Sequence, residues 1–140
     1  MSSVEKCPCC GAKEEWTKFS EETQEFGPTS SHFSVDDLSG ERCLKCGEEL
    51  FSPESNKKIV TAINDANRKK NADFVKNVRK NKIGITQGEA VKYLSGGGHN
   101  AFSRYENAEV SIPKPLLILM HVLDKEPHLY EEIKKMRVRA

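Results

Sequence analysis

From residue 53 onward, apolar residues recur at helical spacing in short runs separated by glycine and proline. Ser52-Pro53 predicts the first helix start, since serine caps well and proline suits the first helical position. Ile59, Ile63 and Ala66 then repeat at helical spacing, with Val60 beside them. The stripe fades through Asn67-Arg68-Lys69-Lys70-Asn71, a polar and basic stretch. This predicts a helix ending near Lys70; the alternative is one continuous helix. Asp73 is placed to cap a second segment carrying Phe74, Val75 and Val78, with Gly84 beyond its end. Thr86-Gln87-Gly88-Glu89 reads as a capping box before Ala90, Val91 and Leu94. Gly96-Gly97-Gly98 predicts a sharp turn, followed by a short helix from about His99 to Asn107. Pro113 and Pro115 lead into an apolar helix over 116–124. Pro127 predicts the start of a last helix, with Leu129, Ile133 and Met136 facing inward. Residues 1–52 lack such periodicity. Turn formers separate Trp16–Ser20 and Ser31–Val35, which read as brief strands of a small sheet.

Composition sharpens this outline. With 140 residues, 36% hydrophobic and 31% charged, one large core is not expected and two small modules fit better. Charge divides them: residues 1–56 carry a net −7 and residues 57–140 a net +8. The basic part is the candidate for nucleic acid, and the acidic part for a different partner. The longest apolar run, Leu116 to Met120, is too short to span a bilayer. Residues 1–6 lack the basic and apolar regions of a secretory signal, so a cytoplasmic protein without membrane association is expected.

All five cysteines lie in the acidic part. Cys7-Pro8-Cys9-Cys10-Gly11 and Cys43-Leu44-Lys45-Cys46-Gly47 share the spacing C-x-x-C-G. Two intervening residues let both thiolates of a tight turn face one ion, and the glycine lets the backbone curl back toward the sulfurs. Cys7, Cys10, Cys43 and Cys46 would thus form a closed tetrahedral site, which predicts one structural Zn²⁺ per chain. Such a site leaves no position for catalytic water. Cys9 is left over, and using it in place of Cys10 breaks the spacing. His32 lies between the knuckles as a further possible ligand. The long gap predicts an inserted hairpin, giving a small four-cysteine zinc-binding α+β domain over residues 1–69.

Residues 86–107 hold two short helices around a glycine turn, the pattern of a helix-turn-helix. Projected at about 100° per residue, the second helix has Ala101, Phe102 and Tyr105 on one face. Asn100, Ser103, Arg104 and Asn107 share the other. Arginine pairs with guanine and asparagine with adenine in the major groove, so these four are the candidate base readers. Thr86 and Gln87, at the start of the preceding helix, and Arg79, Lys80 and Lys82 beside it are the candidate phosphate contacts. His99 either touches DNA or caps the helix. Residues 70–140 then form an all-α DNA-binding domain. Its helix 116–124 is apolar nearly all round, which predicts a homodimer on a palindromic operator.

No paired catalytic carboxylates occur on a predicted helix. The glycine run lacks the Lys-Ser/Thr of a phosphate loop, so an enzyme is not expected.

Taken together, the chain resembles the MqsA antitoxin family, in which a YgiT-type zinc finger precedes an Xre-like (lambda-repressor-like) helix-turn-helix. The resemblance is carried by the two CxxC knuckles and by Thr86-Gln87-Gly88-Glu89-Ala90. Gly96-Gly97-Gly98-His99-Asn100-Ala101-Phe102-Ser103-Arg104-Tyr105-Glu106 and the tail from Leu119 to Pro127 add to it. It implies the antitoxin of a type II toxin–antitoxin pair, with zinc on the four cysteines and operator bases read by Asn100 and Arg104. It further implies that the zinc domain neutralises an mRNA-cleaving toxin, while the other domain dimerises and represses its own operon. Residues 12–42 and Cys9 carry no part of the resemblance. The runner-up reading is a stand-alone transcriptional regulator without a toxin.

Overall fold

The two brief strands expected before residue 52 are the ends of one long ribbon. In the computed structural model, which describes residues 5–13, 15–29 and 31–136, β1 (Trp16–Phe26) and β2 (Phe33–Cys43) pair antiparallel from Trp16↔Cys43 to Phe26↔Phe33. The register shifts on either side of Glu22, and Glu21 and Asp37 take left-handed backbone angles (φ 54° and 55°). Such irregularities increase a ribbon's twist. A third strand, β3 (Glu49–Phe51), adds to β2 through Gly40↔Phe51. A side chain at Gly40 would collide with the Leu50 carbonyl, so this pairing requires glycine. Phe19, Val35 and Leu38 of the sheet bury with Ile59, and Phe26, Phe33 and Phe51 pack around them.

Ser52 caps α1 (Pro53–Asn77) as its sequence predicts: its hydroxyl accepts the Ser55 N–H at 3.2 Å. The expected stop near Lys70 does not occur. No glycine or proline lies between Glu54 and Ile83, and Lys and Arg favour helix. The helix therefore runs through the basic stretch, and Asp73 sits exposed within it rather than at a cap. The chain's two compact units divide inside this helix, between Asn64 and Asp65. In the first unit Ile59 and Ala62 meet the sheet core, while Val60 and Ile63 stay exposed.

In the second unit α1 continues as wide π-helical turns over Val78–Ile83, closed where Gly84 and Ile85 both donate their N–H to the Arg79 carbonyl. Then follow α2 (Gln87–Ala90), widening to π-helical turns over Val91–Ser95, and α3 (Ala101–Glu106), which starts two residues later than expected. α4 (Lys114–Lys125) starts earlier than expected because its first turn accepts Pro115. α5 (Leu129–Lys135) begins after Pro127, which instead lies in the turn before it. Val75, Val78, Phe102, Leu116, Met120 and Leu123 form the centre of this unit's core. Met136 is a correction: it follows the helix end and is 57% exposed, not inward. Among the described residues, no helix is long and apolar enough to cross a membrane.

Candidate functional site

The knuckles flank the hairpin, one before β1 and one after β2. In each, the first cysteine's carbonyl accepts the N–H of the glycine four residues on: Gly11 to Cys7 and Gly47 to Cys43, both at 2.9 Å. Both glycines have positive φ (76° and 81°), a conformation that other residues adopt only with strain. Because Cys43 ends β2, opposite Trp16 at the start of β1, strand pairing brings the second knuckle back to the first. The Leu44 N–H donated to the Glu15 carbonyl (2.7 Å) ties them further.

The Sγ atoms of Cys7, Cys10, Cys43 and Cys46 all lie within 4.8 Å of one another. Cys7 approaches Cys46 at 3.6 Å and Cys10 approaches Cys43 at 3.7 Å, so each close pair joins the two knuckles. Four thiolates at about 2.3 Å from a tetrahedral metal stand about 3.8 Å apart. The donor set therefore suits one such ion. Cys9 is exposed and outside the cluster, and His32 is exposed in the loop before β2.

The thiols differ in acidity. The backbone N–H of Cys10 is the main influence on Cys7 and, with that of Cys9, holds its pKa at about 7 against partial desolvation. Cys46 is lowered by the Glu48 N–H, but desolvation and its three sulfur neighbours push it up to about 12. Cys10 is also raised: the Ala12 N–H lowers it, and desolvation with Cys43 and Cys7 outweighs that. Close thiols cannot all ionise without a cation among them, and a bound metal supplies that charge.

On the hairpin, Arg42 sits between Glu22 (2.7 Å) and Glu49 (3.2 Å), with its guanidinium over the Phe19 ring. Its hydrogen bonds hold the Glu22 carboxyl below the usual range. Arg42 is thus neutralised in place, which leaves the unit's acidic excess uncompensated there. Nothing in the local sequence announced this network, because it spans three strands.

In the second unit, the two faces expected of the helix after the glycine turn are present. Phe102 is fully buried and meets Tyr105 edge-on, while Asn100, Arg104 and Asn107 are exposed. Ser103 is half-buried, and its hydroxyl accepts from the Asn107 amide at 3.4 Å. Arg104 pairs with Glu109 at 3.5 Å across open surface. His99 and Lys80 are exposed, and Lys82 stands 3.9 Å from Asp124. Thr86 accepts the Glu89 N–H at 3.1 Å, the cap expected of it. The Gln87 amide donates to Glu106 at 3.3 Å.

Arg79 corrects the expected phosphate set. Its side chain is 10% exposed and grips Glu106, with Nε at 2.9 and 3.1 Å from the two oxygens and Nη2 at 2.7 Å. Its Nη1 donates to the Ile85 carbonyl at 2.8 Å. Three of its five N–H groups are engaged inside the fold and the side chain is nearly buried, which argues against a phosphate contact. The sequence did hold a signal: on the helical projection Glu106 lies about 40° from Phe102, on the apolar face. A carboxylate there demands a buried cation.

A thiol cluster built by two knuckles on a hairpin, followed by a helical unit with a two-helix glycine turn, defines a metal-binding finger joined to a helix-turn-helix. Residues 5–134 match the family described as the antitoxin component of a bacterial toxin–antitoxin system, MqsA. A relative named Antitoxin MqsA, from Escherichia coli strain K12, is 34% identical over 102 residues, covering 69% of this chain and 76% of that protein. The chain belongs to the MqsA antitoxin family.

Proposed function

We propose that this antitoxin is a non-enzymatic, cytoplasmic regulator with a different partner for each unit. The observation that carries the reading is α3, which turns an apolar side into the core and exposes Asn100, Arg104 and Asn107 from a helix preceded by a glycine turn. Inserted in a major groove, Arg104 and Asn100 hydrogen-bond base edges from the start of the helix, with Ser103 and Asn107 beside them. Thr86, Gln87, Lys80 and Lys82 contact phosphates and set the register. The DNA is a palindromic operator of the antitoxin's own operon, bound by a homodimer. Exposed Ile118 and Val122, one turn apart on α4, support self-association through this unit.

In the first unit the ion is Zn²⁺, held structurally by Cys7, Cys10, Cys43 and Cys46. Four sulfurs in a closed set favour it over harder cations. Bound zinc neutralises the clustered thiolates and fixes both ends of the hairpin. The acidic hairpin suits a small basic toxin that cleaves mRNA, since opposite charge steers association.

Two measurements test the halves of this reading. Arg104→Ala should lose about 1–3 kcal/mol of operator binding and relax preference at one base position. Unchanged preference in a binding-site selection would remove Arg104 from the reading set. Affinity capture of the tagged protein from its native cells at moderate salt should recover one small basic protein in stoichiometric amount, lost when residues 1–60 are deleted. Recovery of DNA alone would point to a stand-alone transcriptional regulator.

A further inference from the structure

Seven of the chain's nine glycines have a reason in the fold: six take positive φ, and Gly40 lies against the neighbouring strand. Gly88 and Gly98 do not. Both have negative φ, which any residue adopts. A Cβ added at Gly98 meets nothing within 4 Å, and one at Gly88 meets only the Thr86 hydroxyl at 3.9 Å, an ordinary contact. Gly88 also stands in the first turn of α2, where glycine is among the poorest helix formers and alanine the best. The isolated fold would be served at least as well by alanine at both positions.

Their placement supplies a reason outside the chain. Gly88 lies in the first turn of the first helix of the helix-turn-helix. Gly98 lies in the turn three residues before the second, where its carbonyl accepts the Ala101 N–H at 2.9 Å. In this motif the first helix crosses the DNA backbone while the start of the second enters the groove. Both glycines are exposed, in the part of the sequence that carries net positive charge, and Gly98 is two residues from the exposed Asn100. We propose that Gly88 and Gly98 are glycine because the sugar–phosphate backbone of bound DNA comes into van der Waals contact with the main chain at both points. A methyl group at either position would hold the strand off and lengthen the neighbouring phosphate contacts. The inference rests on the reading of this unit as DNA-binding.

The test uses the full-length, metal-loaded protein and its Gly88→Ala, Gly98→Ala and Gly98→Leu variants. The probes are a duplex from upstream of the protein's own coding sequence and an unrelated duplex of equal length. Melting temperatures should be equal to or above that of the parent, since alanine restricts the unfolded chain. Binding should nevertheless weaken by the same factor on both duplexes, more for leucine than for alanine at position 98. A backbone contact carries no sequence information, so base preference should not change. Parent-like binding by all three variants would overturn the proposal while leaving the DNA reading intact. A fall in melting temperature that tracks the loss of binding would assign the glycines to the fold and also overturn it. Failure of the parent itself to bind either duplex would remove the DNA reading, and this inference with it.

Discussion

Stripping the metal from the thiol cluster should unfold the first unit and leave the second folded. Among the described residues, the apolar centre of the first unit is Phe19, Val35, Leu38 and Ile59, too little for a module of this size to hold alone. A structural zinc site contributes about 10–16 kcal/mol of apparent binding free energy at pH 7, which exceeds the stability of a domain this small. Trp16 is the only tryptophan and lies opposite Cys43 in the ladder, so its fluorescence reports on this unit. On chelation, its emission should shift while the helical signal of α2 to α5 persists to a separate, higher-temperature melt. One shared transition would refute independent units. Cys10→Ser should reproduce the effect and Cys9→Ser should not, because Cys9 lies outside the cluster. Acid should act in the same direction. Binding requires thiolates, and the cysteines of an unfolded, metal-free unit keep their protons up to about pH 8.5, so loading displaces protons. Metal affinity therefore falls as pH falls through the neutral range.

The second large effect is expected at Glu106. Glu106→Ala leaves the Arg79 guanidinium buried without its partner, which costs about 3–5 kcal/mol. Against a domain stability of about 5–15 kcal/mol, that is enough to populate the unfolded second unit at moderate temperature. Urea titration followed by far-ultraviolet circular dichroism should show the midpoint drop. A double variant, Arg79→Met with Glu106→Leu, should recover much of it, because an apolar pair of similar volume avoids the desolvation cost. No recovery in the double variant would mean that the Gln87 and Ile85 hydrogen bonds matter as much as the ion pair. Lys80, by contrast, is exposed, and Lys80→Ala should leave the midpoint unchanged while weakening DNA binding on any sequence and flattening its salt dependence.

Much of the candidate chemistry was legible along the chain because it depends on local geometry. The C-x-x-C-G spacing selects Cys7, Cys10, Cys43 and Cys46, since a two-residue gap followed by glycine determines a knuckle by itself. Likewise, the Thr86 cap and the two faces of α3 follow from spacings within one or two turns of helix. Where local signals were weak, neighbours in space decided. The polar stretch Asn67–Asn71 reads as a boundary, but without glycine or proline a helix held at both ends by packing continues through it. The hairpin extends to eleven residues per strand because backbone pairing with a partner strand sustains strands whose own alternation is poor. Arg79 looked like one of several surface cations. Only the fold could set it beside Glu106, twenty-seven residues away, since choosing which of many basic side chains meets a buried carboxylate depends on contacts that no local spacing encodes.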